Sequence, residues 1–362
     1  MKRRQLLTGA FAAAGTGALA SPAVGQSEPD LRWRLVSSFP KNTILYFGAE
    51  YLTKRVAELT NNKFQIQAFG PGELVPPLQV LDAVQNGTIE CGSSASYYYL
   101  GKDMTFGFDC AVPFGLNARQ QNAWLYHGGG LQLLRQFFKE YNIYNIPSGN
   151  TGAQMGGWFR KEIKSVDDLK GLKFRCSGFA AQVLSRVGVV PQMIGAGDVY
   201  PALERGAIDA AEWVGPYDDE KMGFYRVAKF YYYPGWWEGS AQVSTYAHLP
   251  HWEALPAQYK TALECACAEA SVWMQSRFDA ENPSALKRLV ANGAQLRPFT
   301  REMMSACYEA AFELYHEVAA SNPRFKTVFE PWLKFREEEY LWFRVAESTF
   351  DNFVYAQAQR KT

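Results

Sequence analysis

The stretch GLKFRCSG (171–178) places an arginine between a phenylalanine and a cysteine, in a segment patterned as a half-buried strand. In an extended chain Arg175 and Lys173 leave one face while Phe174 and Cys176 leave the other, so one of the two cations can turn inward. A guanidinium stays charged and its planar fork fits a carboxylate with two parallel hydrogen bonds, which suits a closed anion site better than an ammonium does. An internal ion pair to an Asp or Glu is the plainer use of such an arginine. Four other residues extend the first idea. Asn150 and Gln154 in GNTGAQ share a face with Gly152 if the segment is extended, presenting two amides around a gap. Glu212 in AAEWVG ends an inferred strand, and Glu238 in PGWWEGS follows two tryptophans. Carboxylates in aromatic surroundings must be paired, protonated or bound to a cation. Glu212, Glu238, the Gln154 amide oxygen and a backbone carbonyl would make an all-oxygen shell for a hard cation such as Ca²⁺ or Na⁺. Solvated acids at strand ends are the alternative.

The sequence lacks H-E-x-x-H, G-x-S-x-G, a Walker loop and a dinucleotide fingerprint, so several common catalytic plans have no residues to run on. His248 and His251 in HLPH have no nearby carboxylate or thiol pair and read as packing or surface residues, as do His127 and His316.

The elements that position these residues alternate. RWRLVSSFP, the helix-patterned NTILYFGAEYLTKRVAELTNN and KFQIQAFG form a strand, helix and strand. PPLQVLDAVQNG is a short helix ending at Gly87, and TIECGSSASYYYLG returns to a strand. A helix at about 117–141, the strand YNIYNIPSGN and an extended TGAQMGGWFRK follow. A second unit begins near residue 150, where VYPALERGAIDAAEWVG repeats the scheme of LQVLDAVQNGTIECGSS. This is an α/β pattern with mostly parallel sheets, in which ligands gather at the carboxyl ends of strands. Beyond residue 250 long helices dominate, and the last, VFEPWLKFREEEYLWFRVAESTFDNFVYAQAQRK, shows aromatic residues on more than one face. Such a face either packs across the back of the domains or meets a partner.

A chain of 362 residues, 48% hydrophobic and 20% charged, suits about two domains. Lys plus Arg number 37 against 36 Asp plus Glu, so no overall field favours nucleic acid, and a ligand's charge must be met locally. Residues 1–26 read as an export signal: a basic start, an apolar Ala/Gly stretch, then small residues, with cleavage after Ala20 or near Gln26. Arg3 and Arg4 before Gln5, Leu6 and Leu7 resemble a twin-arginine signal, although a Sec signal also begins with basic residues. No later stretch reaches the roughly 18 apolar residues of a membrane span. The six cysteines do not make a disulfide scaffold, and a single disulfide remains open.

FGPGELVPPLQVLDAVQNGTIECG, SVDDLKGLKFRCSG, VYPALERGAIDAAEW and FYRVAKFYYYPG, in this order, resemble successive hallmarks of tripartite ATP-independent periplasmic (TRAP) transporter solute-binding proteins. The GNTGAQ, AEW and WWEG elements are similar to the branch that binds 2-oxo or 2-hydroxy monocarboxylates with a metal ion. The resemblance implies a two-lobed α/β clamp in the periplasm. Its lobe I is 30–150 with about 240–280, its lobe II is 151–239 with about 281–325, and 326–362 form a helical dimerisation segment. Arg175 would pair with the substrate carboxylate and Asn150 assist. Gln154, Glu212, the Trp213 carbonyl and Glu238 would surround the cation, and Tyr98, Tyr99, Tyr46 and Phe47 would wall the pocket.

The implied function is capture of an acid such as pyruvate or lactate and its delivery to a membrane permease by a homodimer, with no catalysis. Two glutamates, one arginine, a monocarboxylate and a divalent ion sum to neutrality, which points to Ca²⁺ ahead of Na⁺. Rival readings are a metal-free dicarboxylate or sugar-acid binder, an extracytoplasmic metal-dependent hydrolase or lyase, and a ligand-reading partner of a membrane sensor.

Overall fold

The computed structural model describes residues 29–359, so the signal expected at 1–26 lies outside the described residues. β1 (Leu31–Ser37), β2 (Phe64–Phe69), β3 (Cys91–Ser94) and β4 (Ile143–Asn150) come from the first part of the chain. β5 (Trp158–Phe159), β6 (Lys173–Arg175), β7 (Val190–Gln192), β8 (Ala210–Ala211) and β9 (Phe230–Tyr233) follow. β10 (Gln242–His248) then returns to the first group and β11 (Gln295–Pro298) to the second, giving sheets ordered β2-β1-β3-β10-β4 and β11-β9-β5-β8-β6-β7. In the first sheet every strand but β10 runs one way, and in the second every strand but β5. The expected two-lobed α/β clamp with mostly parallel sheets and long C-terminal helices is what forms.

Local sequence explains the elements. The helix Ile44–Leu59 starts where the Thr43 side chain accepts the Tyr46 N–H, and buries Ile44, Leu45, Ala49, Leu52 and Val56 at helical spacing. The repeat also has a structural counterpart. In Val80–Gln85 followed by Gly87, and in Ala196–Glu204 followed by Gly206, the glycine takes a positive φ. The next residue's N–H then returns to an alanine carbonyl, Thr88 to Ala83 and Ala207 to Ala202, both at 2.9 Å. The helix Ala257–Ala291 is about 50 Å long at the α-helical rise and ties the lobes together. Glu264 and Glu269 pair with Arg135 and Arg55 on the first lobe, and Arg288 pairs with Glu220 on the second.

Three local expectations are corrected. The helix expected at 117–141 is two, Ala118–Tyr126 and Gly130–Lys139, because Gly129 takes φ +82° between them. Only Cys91–Ser94 of TIECGSSASYYYLG is a strand; Ser96–Tyr99 close a 3₁₀ turn, so neighbouring tyrosines diverge instead of alternating. Gly152 takes φ +66°, so GNTGAQ is not continuously extended.

All six cysteines are free, and only Cys265 is exposed. The C-terminal helix Pro323–Phe343 divides its aromatic residues. Phe325, Phe329 and Trp332 are buried, and Arg336 Nε and the Tyr340 hydroxyl bond the Phe114 carbonyl. Leu341, Trp342, Val345, Phe350, Phe353 and Tyr355 are each about 60% exposed or more, along the continuation to Gln359. No helix among the described residues is long and apolar enough to cross a membrane.

Candidate ligand and cation site

Backbone hydrogen bonds assemble the site from four segments distant in sequence. The Gln154 N–H donates to the Glu238 carbonyl (3.1 Å), Gly235 N–H to the Gln154 carbonyl (3.0 Å) and Met155 N–H to the Val214 carbonyl (3.0 Å). A Cβ at Gly235 would lie 2.6 Å from the Gln154 carbonyl oxygen, so glycine is required for that approach. Glu212 N–H donates to the Arg175 carbonyl (3.1 Å) where β8 runs beside β6, setting the arginine against the segment carrying Glu212 and Trp213.

Arg175 is 2% exposed. Its Nη1 donates to Glu212 Oε1 (2.6 Å) and to the Glu212 carbonyl (2.8 Å), and its guanidinium carbon lies 5.2 Å from the Trp213 ring. Lys173, on the same strand, is exposed. The internal ion pair considered from sequence therefore exists, with Glu212 as partner. It uses one carboxylate oxygen and leaves Glu212 Oε2 without a hydrogen-bond partner among the described residues.

The remaining polar atoms form a pattern. Gln154 Oε1, Glu212 Oε2 and Glu238 Oε2 are buried acceptors with no hydrogen-bond partner among the described residues. Glu238 sits near enough to Glu212, Arg175, Tyr97 and Gln154 to feel all four. Burial first, then repulsion by Glu212, holds the Glu238 carboxyl well above its ordinary range. Burial also lifts Glu212, to about 7; Arg175 opposes it and Asp219 adds repulsion. Burial works most strongly against the Arg175 charge, but Glu212 together with Tyr98, Tyr97 and Cys176 outweighs it and holds the guanidinium above its usual value. Three buried oxygens without a partner among the described residues, two of them on acids that burial and neighbouring carboxylates disfavour as anions, are what a hard cation relieves. No group of three or more His, Cys, Asp and Glu that could hold a metal occurs among the described residues; the donor set expected from the resemblance has only two such residues, with an amide and a carbonyl. His248 and His251 are a bonded pair, Nδ1 to Nδ1 at 3.0 Å, with His248 Nε2 also 3.0 Å from Asn142 Nδ2.

A narrow cavity of about 10 Å³, room for about one water and far below an open ligand pocket, adjoins these residues. Of the expected residues, Tyr98, Gln154 and Trp213 line it. Arg175 is close behind, near enough to Tyr98 to pull against the burial that raises its phenol. Asn150, at the end of β4, accepts the Gly152 N–H on Oδ1 (2.8 Å) and keeps Nδ2 without a partner among the described residues. The structure places Tyr99, Tyr46 and Phe47 elsewhere. The Tyr99 hydroxyl accepts the Leu81 N–H (3.1 Å) and lies 3.2 Å from Ser94 Oγ; Lys41 Nζ covers the Tyr46 ring, and Arg277 covers Phe47. On a helical turn adjacent side chains diverge by about 100°, so Leu45 faces the cavity where its two successors do not.

Sequence reasoning missed Phe39, Leu45, Tyr97, Thr151 and Gln242, which also line the cavity. Phe39 had a usable signal, standing just beyond the carboxyl end of β1, where α/β folds bind ligands. It also missed Asp218, whose Oδ1 accepts the Ile44 N–H (2.9 Å) at the start of the helix Ile44–Leu59 and so joins the lobes beside the cavity. Burial pushes the Asp218 carboxyl up to about 8.

Residues 35–322 match the family described as bacterial extracellular solute-binding protein, family 7. Over 98% of its length and 99% of the relative's, the chain is 50% identical to a protein of Nostoc sp. named monocarboxylate 2-oxoacid-binding periplasmic protein. A solved TRAP transporter solute-binding protein of Bordetella bronchiseptica RB50 is 52% identical with a TM-score of 0.91, over 92% of this chain and 100% of that one. It is a mixed-occupancy dimer, with copurified calcium and picolinate in one active site and an apo site. A TRAP periplasmic solute-binding protein of Pseudoalteromonas atlantica T6c, with bound sodium and pyruvate, is 36% identical with a TM-score of 0.86, over 89% of this chain and 99% of that one.

Proposed function

This chain belongs to the bacterial extracellular solute-binding proteins of family 7, and from that membership we propose that it is the periplasmic solute-binding subunit of a TRAP transporter. Its ligand is a small 2-oxo or 2-hydroxy monocarboxylate, such as pyruvate or lactate, held together with one Ca²⁺ or Na⁺. The lobes are 30–150 with about 240–280 and 151–239 with about 281–325.

The observation that carries this reading is the set of buried oxygens of Gln154, Glu212 and Glu238, without hydrogen-bond partners among the described residues, beside a buried arginine bonded to Glu212. Those three residues and the Trp213 carbonyl would hold the cation, which supplies the positive charge that two buried glutamates and an incoming carboxylate require. Arg175 binds the acid's carboxylate while remaining bonded to Glu212, and Asn150 Nδ2 donates to a second ligand oxygen. Phe39, Leu45 and Tyr98 exclude water and wall the ligand's carbon chain. Closure of the lobes presents the liganded shape to a membrane permease, and no bond is made or broken. The exposed aromatic residues of 326–362 join two copies in a homodimer.

Calorimetry with pyruvate and lactate, before and after chelator treatment, tests the reading. Binding that needs added calcium or sodium is expected. Full affinity in cation-free protein, or preference for succinate or a uronate, overturns it in favour of a metal-free site, and turnover of the acid on long incubation overturns the non-catalytic role.

A further inference from the structure

We propose that Gln242 reads the substituent at C2 of the bound acid and favours a 2-hydroxy over a 2-oxo monocarboxylate. The inference rests on the ligand class above and adds a specificity residue to it. Gln242 opens β10 directly opposite Asn150, the last residue of β4, and cross-strand partners in an antiparallel pair leave the sheet on the same face. It is 1% exposed and lines the cavity with Thr151, Gln154 and Trp213. Its Nε2 donates to the Val243 carbonyl (2.8 Å), which fixes the amide: reversing it would set two oxygens against each other. Oε1 therefore faces away from Val243, buried and with no hydrogen-bond partner among the described residues.

Beside it, Asn150 spends Oδ1 on the Gly152 N–H and leaves Nδ2 without a partner among the described residues, so the paired strand ends offer one donor and one acceptor. Thr151 cannot serve Gln242, since its Oγ1 already donates to the Gly152 carbonyl and accepts from Gln154 Nε2 and the Ala241 N–H. A hydroxyl satisfies both amides, accepting from Asn150 and donating to Gln242. A ketone oxygen only accepts, and leaves a buried amide oxygen facing its lone pairs.

The test compares L-lactate and D-lactate with pyruvate by calorimetry in calcium buffer, on the wild type and on Gln242→Met, which keeps length and apolar bulk but removes the acceptor. The wild type is expected to bind one lactate enantiomer about tenfold more tightly than pyruvate. Gln242→Met should lose that factor for lactate, keep or improve its pyruvate affinity, and melt within a few degrees of wild type. Equal losses for both acids, or an unchanged ratio, overturn the role of Gln242 and leave the ligand class standing. A wild type that binds neither acid overturns the ligand class, and this inference with it.

Discussion

Replacing Arg175 by methionine separates its two tasks, neutralising Glu212 and binding the ligand. Glu212 is 2% exposed and bonded to Arg175 Nη1 at 2.6 Å, so the variant leaves a buried carboxylate without its cation. Breaking one side of such a pair costs about 3–5 kcal/mol, which for a chain of this size lowers Tm by on the order of 10 °C. The loss depends on pH in a fixed direction. Burial already raises the Glu212 carboxyl to about 7 with Arg175 present, and without the arginine it rises further. A carboxyl raised in the folded state holds its proton there more tightly than in the unfolded chain, so stability falls as pH climbs from the unfolded value through the folded one. In chelator-treated protein the Arg175→Met deficit should be small at pH 5 and full at pH 9. Adding Glu212→Gln to Arg175→Met should recover most of the stability at pH 9 without restoring pyruvate or lactate binding, which falls at least about a hundredfold with the charge-assisted bonds lost. Thermal melts across pH and calorimetry at pH 7 are the assays. An Arg175→Met protein that melts like wild type at pH 9, or a double variant with no recovery, refutes the buried-pair argument, and undiminished affinity refutes the carboxylate role.

Glu238→Gln should purify with calcium at background level by elemental analysis and bind the acid weakly. Its chelator-treated form should be at least as stable as wild type, because burial and Glu212 already favour the neutral acid; retained calcium would count against Glu238 as a ligand. Asp218, raised to about 8, should cost stability increasingly from about pH 4 to about pH 8, so Asp218→Asn should match wild type near pH 4 and melt higher at pH 8, since an amide still accepts the Ile44 N–H; parallel pH curves would contradict this. Trp342→Glu with Phe350→Glu, at positions 59% and 65% exposed, should convert a sedimenting dimer to monomer with little change in ligand affinity, and an unshifted dimer would place the interface elsewhere.

Much of the site is legible in residue type alone. An arginine amid apolar neighbours, acids beside tryptophans and paired amides around a glycine are each costly to bury without a partner, so their presence at strand ends announces a charged ligand. The alternating periods of 2 and 3.6 likewise announce an α/β chain, and glycine punctuation announces the repeated helix, turn and strand. These are local properties, carried by a few adjacent residues. What only the tertiary structure decided depends on partners far apart in the chain. Arg175 meets Glu212 because β6 and β8 lie side by side, Gln242 faces Asn150 because of the β4 and β10 register, and Asp218 reaches Ile44 across the lobes. Helical phase acts the same way: Leu45 lines the cavity and Tyr46 does not, and Tyr97 and Tyr98 line it while the Tyr99 hydroxyl turns to the Leu81 N–H. Residue chemistry names the candidates, and register and helical phase choose among them, because hydrogen bonds between distant strands fix directions that no local pattern contains.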